Sequence, residues 1–331
     1  MKLSIGIVGL PNVGKSTLFK ILTKSEVNIA NYPFCTIDPN VGVATVPDPR
    51  VEKLTAFSRS AKKIPAVVEF YDIAGLVRGA NKGEGLGNQF LAHIREVNAI
   101  AVVLRCFKND EIIHVEQSVD PIRDMDIVNT ELILKDLESI EKRFKKLEGE
   151  ARTGNKESAK NLVVIQKIKA KLEQGELTTE FAGEPITKEF QLLTSKKQLY
   201  LLNGAKEDVS PALTEKIKKL NAEYVMYDLG SADSVPELIL AAYRILNLIS
   251  FFTTGEDETR AWTIERGTKA PQAAGVIHTD FEKKFIRAEV IQWEKLLSFG
   301  GWAQAKSKGV IRLEGKEYVV EDGDVMEIRH G

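Results

Sequence analysis

The sequence has little of what several specialised classes of protein require. Two cysteines in 331 residues, in no metal-ligand spacing, are too few for a disulfide framework and indicate a reducing, cytoplasmic setting. The 46 basic and 47 acidic residues leave a net charge of -1, which argues against a protein that binds nucleic acid with its whole surface. No hydrophobic run approaches the roughly 20 residues of a membrane span. We therefore expect neither DNA nor a membrane as a partner.

What the sequence does contain is a regular alternation of strand-like and helix-like segments. Residues 3–8 have the pattern of a buried strand, and residues 16–22 have helical periodicity. Further buried-strand patterns occupy residues 66–71, 99–105 and 198–202. Because strands that alternate with helices form parallel sheets, this part of the chain is predicted to be an α/β domain.

Two charge-rich helical segments lie between these strands. Asp120 is a good N-cap and Pro121 suits the first helical position, so a long helix is predicted to begin there. A polar turn at residues 153–155 separates this helix from a second helical segment. The two helical segments and the turn together predict an antiparallel hairpin. Such a hairpin is usually a solvated structural arm, and a partner-binding tip is the alternative. Since a strand pattern returns at residues 198–202, the hairpin is predicted to be an insertion.

The C-terminal segment, from about residue 251, changes character and predicts a compact α+β module. Turn signals separate several short strand patterns, and a helix is expected near residues 283–290. The predicted strands are residues 262–264, 276–277, 310–313, 316–320 and 324–328.

Residues 9–16 carry the first chemical motif, G-x-x-x-x-G-K-S, which is the phosphate-binding loop. Its glycines let backbone N–H groups face phosphates, while Lys15 adds a positive charge for the β- and γ-phosphates. The motif stands directly between a predicted strand and a predicted helix, which is the context that it requires. The predicted phosphate-binding residues are Asn12, Val13, Gly14, Lys15, Ser16 and Thr17.

A P-loop also needs an acidic group at the end of a neighbouring strand to hold Mg²⁺. Asp72 provides it, because it follows the strand pattern 66–71 and begins a D-x-x-G motif that ends at Gly75. Thr36, between the two motifs, is placed to complete the metal coordination. We predict Ser16, Thr36 and Asp72 as Mg²⁺ ligands, with Thr36 and Gly75 sensing the γ-phosphate.

In these motifs the sequence resembles the Obg-like ATPases, the YchF-type branch of translation-factor-related P-loop proteins. The resemblance implies an α/β P-loop NTPase domain with an inserted antiparallel helical hairpin, plus a C-terminal α+β domain of the β-grasp, ubiquitin-like TGS type. It implies domain boundaries of 1–127 and 190–248 for the P-loop domain, 128–189 for the coiled-coil hairpin and 249–331 for the TGS domain. The resemblance rests on residues 9–16, 31–40, 72–80, 83–91, 105–107, 261–264, 270–281 and 314–318.

The resemblance also implies an enzyme that hydrolyses ATP to ADP and phosphate with Mg²⁺ and acts as a nucleotide-dependent switch on ribosomes. Ordinary GTPases have a glutamine after D-x-x-G that orients the attacking water, whereas this chain has Leu76, which cannot form hydrogen bonds through its side chain. His114 matches a histidine implicated in hydrolysis in the family and is the predicted catalytic residue. The alternative is that His114 packs structurally, in which case His93 or Arg78 is the better candidate.

The base-recognition motif departs from that of GTPases as well. Asn203 is followed three residues later by Lys206 and not by the GTPase aspartate, which accepts hydrogen bonds from guanine. Lysine only donates hydrogen bonds, and adenine offers the N1 acceptor, so the residues favour ATP over GTP. Asn12 occupies a position where related GTPases bind a monovalent cation, which predicts a K⁺ site. The predicted base contacts come from Asn203, Gly204, Ser231 and Ala232.

Two other functions remain open from the sequence: a nucleotide-ordered ribosome- or RNA-binding module with vestigial hydrolysis, and a GTP-selective GTPase. Basic residues of the C-terminal segment, such as Lys283 and Lys284, could contact RNA phosphates. Acidic residues such as Glu282 and Glu289 interleave them, so a solvated surface is the default interpretation. The family resemblance, more than these charges, favours a ribosomal partner.

Overall fold

A computed structural model describes residues 4–24, 40–73, 94–109 and 111–331. Within these residues the chain divides into two compact units. The first comprises 4–24, 40–42, 69–73, 94–109 and 111–241, and the second comprises 43–68 and 242–331. In this described part, no helix combines the length and the apolar character needed to cross a membrane.

A six-stranded sheet of order β2-β4-β1-β5-β6-β7 forms the core of the first unit, although residues 43–45 of β2 and 67–68 of β4 fall within the range of the second unit. Strand β1 runs parallel to β4 and β5, and β6 runs parallel to β5 and β7. All seven residues of β5 are buried, as expected where helices cover both faces of a parallel sheet. The strands are β1 (Ser4–Val8), β2 (Val41–Thr45), β3 (Lys62–Ile64, in the other sheet), β4 (Val67–Asp72), β5 (Ala99–Arg105), β6 (Lys197–Asn203) and β7 (Glu223–Tyr227).

Parallel pairing brings the carboxyl ends of four strands to one edge of this sheet, which is where α/β proteins bind ligands. In β4, Asp72 is paired with Ile7 of β1, just before the P-loop. In β5, Arg105 is paired with Asn203 of β6. The sheet register therefore gathers the ends of β1, β4, β5 and β6 at the candidate site.

Helices of three or more turns and shorter helical segments connect the strands. Several helices begin at a residue whose side chain caps the first turn, such as Asp48 before Pro49 and Ser210 before Pro211. The helices are α1 (Lys15–Thr23), α2 (Pro49–Ser58), α3 (Pro121–Arg152), α4 (Lys156–Glu173), α5 (Pro185–Glu189), α6 (Pro211–Lys219), α7 (Pro236–Ile245), α8 (Ala270–Ile277), α9 (Thr279–Lys283), α10 (Trp293–Phe299) and α11 (Trp302–Ser307).

The predicted start of the long helix is confirmed. The Asp120 side chain accepts hydrogen bonds from the backbone N–H groups of Ile122 and Arg123, and Pro121 occupies the first turn. Helix α4 follows after three residues and begins in the same way, with the Asn155 side chain as its cap. The two helices pack on each other through aliphatic side chains that include Ile133, Ile140, Leu147, Ile165, Ile168 and Leu172.

A buried carboxylate fastens the middle of α3 to the segment that returns to the sheet. Asp136 accepts hydrogen bonds from the backbone N–H of Leu193 at 2.8 Å and from the N–H and hydroxyl of Thr194, each at 2.7 Å. Burial raises the pKa of Asp136 to about 6, although these hydrogen bonds favour the charged form. Helix α3 is therefore anchored at its midpoint as well as at its first turn.

The second unit contains a mixed six-stranded sheet of order β11-β10-β12-β8-β9-β3. Antiparallel pairs join β8 to β9 and β10 to both β11 and β12, whereas β12–β8 and β3–β9 are parallel. Phe251, Trp262, Ala274 and Val290 belong to its core. The remaining strands are β8 (Leu248–Thr254), β9 (Glu258–Glu265), β10 (Phe285–Gln292), β11 (Arg312–Glu314) and β12 (Asp324–His330).

Three predictions for the C-terminal segment are wrong. Residues 283–290, expected to be helical, lie mostly in strand β10, because Ala288 and Val290 are buried in the sheet core. Residues 276–277, expected to be a strand, end helix α8, whose alanines pack against the sheet. Residues 316–320 form a turn with one isolated bridge at Val319. Each error concerns a short segment where tertiary packing overrides local preference.

Candidate nucleotide site

The P-loop connects the buried strand β1 to helix α1. Gly9 has φ of 153° and Gly14 has φ of 109°, a backbone conformation that other residues rarely adopt. A Cβ atom on Gly14 would lie 2.4 Å from the side-chain nitrogen of Asn203, so the close approach also requires glycine. Helix α1 begins at Lys15 with no acidic residue in its first turn. Its N-terminal N–H groups therefore form an anion-binding end of the kind that phosphates use.

Lys15 is held inside this loop. Its ammonium group donates hydrogen bonds to the carbonyl oxygens of Gly9 at 2.9 Å and Leu10 at 2.7 Å, and the residue is 8% exposed. Burial lowers the pKa of Lys15 to about 8, and the nearby Asp72 carboxylate opposes that shift. The site thus keeps a positive charge among backbone carbonyls, ready to exchange them for phosphate oxygens.

Asp72 stands at the end of β4, beside the P-loop. Its backbone N–H donates to the carbonyl of Asn40 at 2.8 Å, which fixes the end of the strand. Partial burial raises the pKa of its carboxyl group, and the charge of Lys15 lowers it. The structure therefore brings together two predicted residues, Lys15 and Asp72. Thr36 and Gly75 lie outside the described residues.

Asn203, predicted to contact the base, connects two loops of the site. From the end of β6, its side-chain amide donates to the carbonyl of Val13 at 2.9 Å and its side-chain oxygen accepts from the N–H of Leu229 at 3.0 Å. The residue is almost fully buried. The Asn203 side chain consequently fixes the P-loop against the loop that follows β7.

The other predicted base contacts lie on two adjacent loops. The Gly204 N–H donates to the carbonyl of Tyr227 at 2.9 Å, which joins the ends of β6 and β7. Ser231 and Ala232 belong to a tight turn in which both backbone N–H groups donate to the carbonyl of Asp228. Asp228 was not singled out from the sequence, although an aspartate two residues before a glycine is a turn signal.

Asp208 is a second acidic residue that the motif comparison missed. Its side chain accepts a hydrogen bond from the backbone N–H of Ala205 at 3.0 Å and so shapes the loop after Asn203. Lys206 and Glu207 are exposed in the same short 3₁₀ turn. The loop that would face the base therefore holds carboxylates four and five residues after Asn203, in Glu207 and Asp208, and a lysine three residues after it.

Arg105, at the end of β5, organises the next loop and was also missed as a site residue. Its buried guanidinium donates to the carbonyls of Phe107 at 3.2 Å, Asn109 at 2.9 Å and Ile112 at 2.9 Å. The feature of the sequence that could have identified Arg105 is that it is a single charged residue at the end of an otherwise apolar strand. Arg105 holds the loop that leads to His114.

His114 lies beside the P-loop and is buried. Its Nε2 is 2.8 Å from Oδ2 of Asp124, and its Nδ1 accepts a hydrogen bond from the N–H of Glu116 at 3.1 Å. The preceding residue, Ile113, accepts a hydrogen bond through its carbonyl from the side-chain amide of Asn12 at 3.0 Å. The structure thus connects the predicted catalytic histidine to the P-loop through its neighbour, with both ring nitrogens engaged.

Comparisons with known proteins cover nearly the whole chain. The sequence is 46% identical to "Ribosome-binding ATPase YchF" of Bacillus subtilis, and the match covers 99% of each chain. The chain belongs to the YchF/Obg-like ATPase family. It is also 43% identical to "Obg-like ATPase 1" of Gallus gallus, over 98% of this chain and 91% of that one.

A solved structure and two family models agree with membership of the YchF/Obg-like family. The YchF GTPase of Schizosaccharomyces pombe superposes with a TM-score of 0.86 at 37% identity and covers 99% of this chain and 98% of its own. Residues 4–133 match the family described as "50S ribosome-binding GTPase". Residues 248–331 match the YchF-GTPase C-terminal family, described as a "Protein of unknown function". The first unit is therefore a P-loop domain of the GTPase type.

Proposed function

We propose that this protein is a P-loop nucleotide hydrolase that converts ATP to ADP and phosphate with Mg²⁺ and acts as a nucleotide-dependent switch on ribosomes in the cytoplasm. The observation that carries the proposal is the position of Lys15, held in the P-loop, near enough to Asp72 at the end of the adjacent strand for each charge to shift the pKa of the other. The full-length relatives named ribosome-binding ATPases support both the nucleotide and the partner. The phosphates are bound by Asn12, Val13, Gly14, Lys15, Ser16 and Thr17.

The residues present suit Mg²⁺, which binds through one or two protein oxygens together with substrate phosphates and water. Among the residues that the structure describes, no cluster of three or more His, Cys, Asp or Glu side chains forms a cage for a metal. The exposed hydroxyl of Ser16 and the carboxylate of Asp72 would hold the ion, with Thr36 as the third protein ligand. When bound, Mg²⁺ neutralises charge that develops on the β- and γ-phosphates.

Turnover measurements with and without ribosomes test this function against a binding module with vestigial hydrolysis. We expect slow release of phosphate from ATP by the protein alone and a change in rate when ribosomes are added. Nucleotide-dependent co-sedimentation with ribosomes, with no phosphate release above that of buffer, would favour the binding module. An absence of both nucleotide binding and ribosome binding would reject the proposal.

GTP is the second candidate substrate, because the S. pombe structure and the N-terminal family model are both described as GTPases. ATP is nevertheless expected to bind at least as tightly as GTP, since Lys206 offers no acceptor for the guanine N1–H and N2–H₂ groups. Leaving such donors unpaired costs about 1–3 kcal/mol, or roughly ten- to hundredfold in affinity relative to a GTP-selective site. Binding titrations with both nucleotides measure this preference.

The Lys206→Asp variant sharpens the test of base preference. Lys206 is exposed, so the substitution should leave the fold intact and shift preference towards GTP. Lys206→Ser is the matched control, because it removes the charge without supplying a carboxylate. A side chain at Gly204 is unsuitable for this purpose, since a Cβ there would lie 3.0 Å from the backbone nitrogen of Phe107. Selective GTP binding by the unmodified protein would instead implicate a carboxylate such as Asp208.

K⁺ is expected to accelerate turnover relative to Na⁺. Asn12 is exposed at the tip of the P-loop, where its side-chain amide donates to Ile113 and leaves the carbonyl oxygen of the same side chain as a possible cation ligand. Steady-state rates in the two chlorides at matched ionic strength measure the effect. The Asn12→Ala variant should respond equally to both salts, and equal rates for the unmodified protein would contradict a K⁺ site.

The domain assignment implied by the resemblance belongs to the same proposal. It places a coiled-coil hairpin at 128–189 within a P-loop domain of 1–127 and 190–248, followed by a TGS domain at 249–331. The packing of α3 on α4 and the family match that begins at residue 248 support it. Residues 43–68, which group with the C-terminal unit, are the part of the chain that this division does not explain.

A further inference from the structure

The hydrogen bonds around His114 determine which of its nitrogens carries the proton. The backbone N–H of Glu116 can only donate, so Nδ1 of His114 accepts and carries no hydrogen. In the neutral ring the hydrogen is then on Nε2, which donates to Oδ2 of Asp124 at 2.8 Å. Asp124 thus selects one of the two tautomers.

Asp124 is itself firmly held. It lies in the first turn of α3, where its N–H donates to the carbonyl of Asp120 at 3.0 Å, and it is 0% exposed. Its second carboxylate oxygen accepts from the guanidinium of Arg123 at 3.1 Å. Arg123 is fixed in turn by the hydroxyl and carbonyl oxygens of Ser118. Such a carboxylate has the environment of an orienting group, because it is buried, bonded on both oxygens and rigid.

The two hydrogen bonds of the His114 ring differ in strength. The bond to Asp124 involves a carboxylate, is short and is buried, which makes it the stronger one. The bond from Glu116 is neutral, longer, and joins residues only two apart in a loop. A rearrangement of the loop would therefore break the bond from Glu116 first. Nδ1 of His114 would then be released, while Nε2 would stay bonded to Asp124.

The loop that carries His114 also contacts the P-loop through the hydrogen bond from Asn12 to Ile113. Leu76 provides no polar side-chain group to orient water, so a hydrogen-bond acceptor must come from elsewhere in the site. Nδ1 of His114, once released by Glu116, is such an acceptor.

We propose that Asp124 is a positioning residue for hydrolysis: it keeps the hydrogen of His114 on Nε2, so that Nδ1 can accept a hydrogen bond from the attacking water. This inference rests on the proposed ATP hydrolysis and goes beyond it by assigning a role to the first turn of α3. His114 orients the water, and Asp124 acts only through His114.

A double-mutant cycle tests that dependence. Asp124→Asn should lower the single-turnover rate of ATP hydrolysis by about 10²–10⁴-fold, the range for loss of an acid–base or orienting group, with ATP affinity nearly unchanged. In a His114→Ala background the same substitution should change the rate by less than about threefold. An equal loss in both backgrounds, or a faster rate in Asp124→Asn, would overturn the proposal.

Asp126→Asn is the matched control. Asp126 lies two residues further along the same helix, is exposed and pairs with Lys216, so the identical chemical change there should leave hydrolysis unaltered. Loss of hydrolysis in this variant equal to that in Asp124→Asn would mean that any change of charge near the start of α3 disturbs the site, and would reject a specific role for Asp124.

A spectroscopic measurement needs no turnover and remains informative if Asp124→Asn is unstable. In ¹⁵N-selectively labelled wild-type protein, the two-bond correlations of His114 should show a protonated Nε2 and an unprotonated Nδ1. A protonated Nδ1 or rapid tautomer exchange in the wild type would contradict the inference even if the protein hydrolyses ATP. Conversely, the expected tautomer in a protein without hydrolysis would reject the proposed function and with it the positioning role of Asp124 in hydrolysis.

Discussion

Replacing Lys15 with alanine is expected to abolish nucleotide turnover while the chain stays folded. The ammonium group is the charge that the P-loop supplies to the phosphates, and a hydrogen bond to a charged group contributes about 1.5–3 kcal/mol. Its removal should weaken ATP binding roughly ten- to hundredfold and slow hydrolysis further, because the charge also stabilises the transition state. Calorimetric titration and single-turnover assays measure the two effects separately.

The fold should survive Lys15→Ala because the substitution both removes and adds contributions to the free energy of unfolding, and these partly cancel. Two carbonyls, of Gly9 and Leu10, lose a donor, but a buried charge that is costly to desolvate is also removed. Lys20→Ala, an exposed lysine on the same helix, is the matched control and should behave like the wild type. Undiminished ATP hydrolysis by the Lys15→Ala protein would reject the assignment of the site.

The lowered pKa of Lys15 provides a second readout. In the protein without nucleotide the side chain is protonated below about pH 8 and loses its charge as the pH rises through that value. ATP binding by the wild type should therefore weaken above about pH 8, and the Lys15→Ala variant should lack that part of the pH dependence.

His114→Ala is expected to lower the rate of hydrolysis by about 10²–10⁴-fold with little change in ATP affinity. An orienting group acts on the attacking water, which is bound productively only in the transition state, so its loss should affect turnover more than binding. The structure adds a stability cost, because the substitution leaves the buried Asp124 without one of its donors. We expect a destabilisation of about 1–3 kcal/mol, which thermal unfolding measures.

A control of similar stability separates these two effects. Asp136→Asn weakens the hydrogen bonds of another buried carboxylate in the same helix. The partners of Asp136 are Leu193 and Thr194, which are not part of the P-loop or of the loop that carries His114. It should lose stability but retain hydrolysis when both variants are assayed well below their unfolding temperatures. Normal hydrolysis by His114→Ala under those conditions would make the histidine structural and direct attention to His93 or Arg78.

Strands of the first sheet could be predicted because their signal is local. The run 99–105 is apolar up to its last residue and is a strand over the same residues, and Asp120 with Pro121 defined the start of α3. In the second unit the charged residues around Arg287 resembled a helix, yet the segment is strand β10 because its alternate apolar residues fit the core. Only the packing partner distinguishes the two structures there.

Some residues of the candidate site could likewise be predicted from the sequence and others could not. The P-loop and Asp72 are contiguous motifs whose roles follow from backbone chemistry, so sequence was sufficient to find them. The partner of His114 was not predictable, because Asp124 is one of many acidic residues around α3 and its burial is a property of the fold. The bridge made by Asn203 depends on the register between β5 and β6 and the return of β7, which the motif does not encode.

Helix α3 is held at two points by the hydrogen bonds of Asp124 and Asp136, so a movement of its far end can be transmitted to its first turn. Asp124 and Asp136 are twelve residues apart, about 18 Å at the rise of an α-helix, and Arg152 lies about 24 Å beyond the second anchor. A rigid helix that pivots at Asp136 moves its first turn by about 3 Å for every 4 Å at Arg152. A displacement of that size is larger than the 2.8 Å contact between His114 and Asp124 can absorb, so His114 would stay bonded to Asp124 only if its loop moved with the helix, which would strain the weaker bond from Glu116.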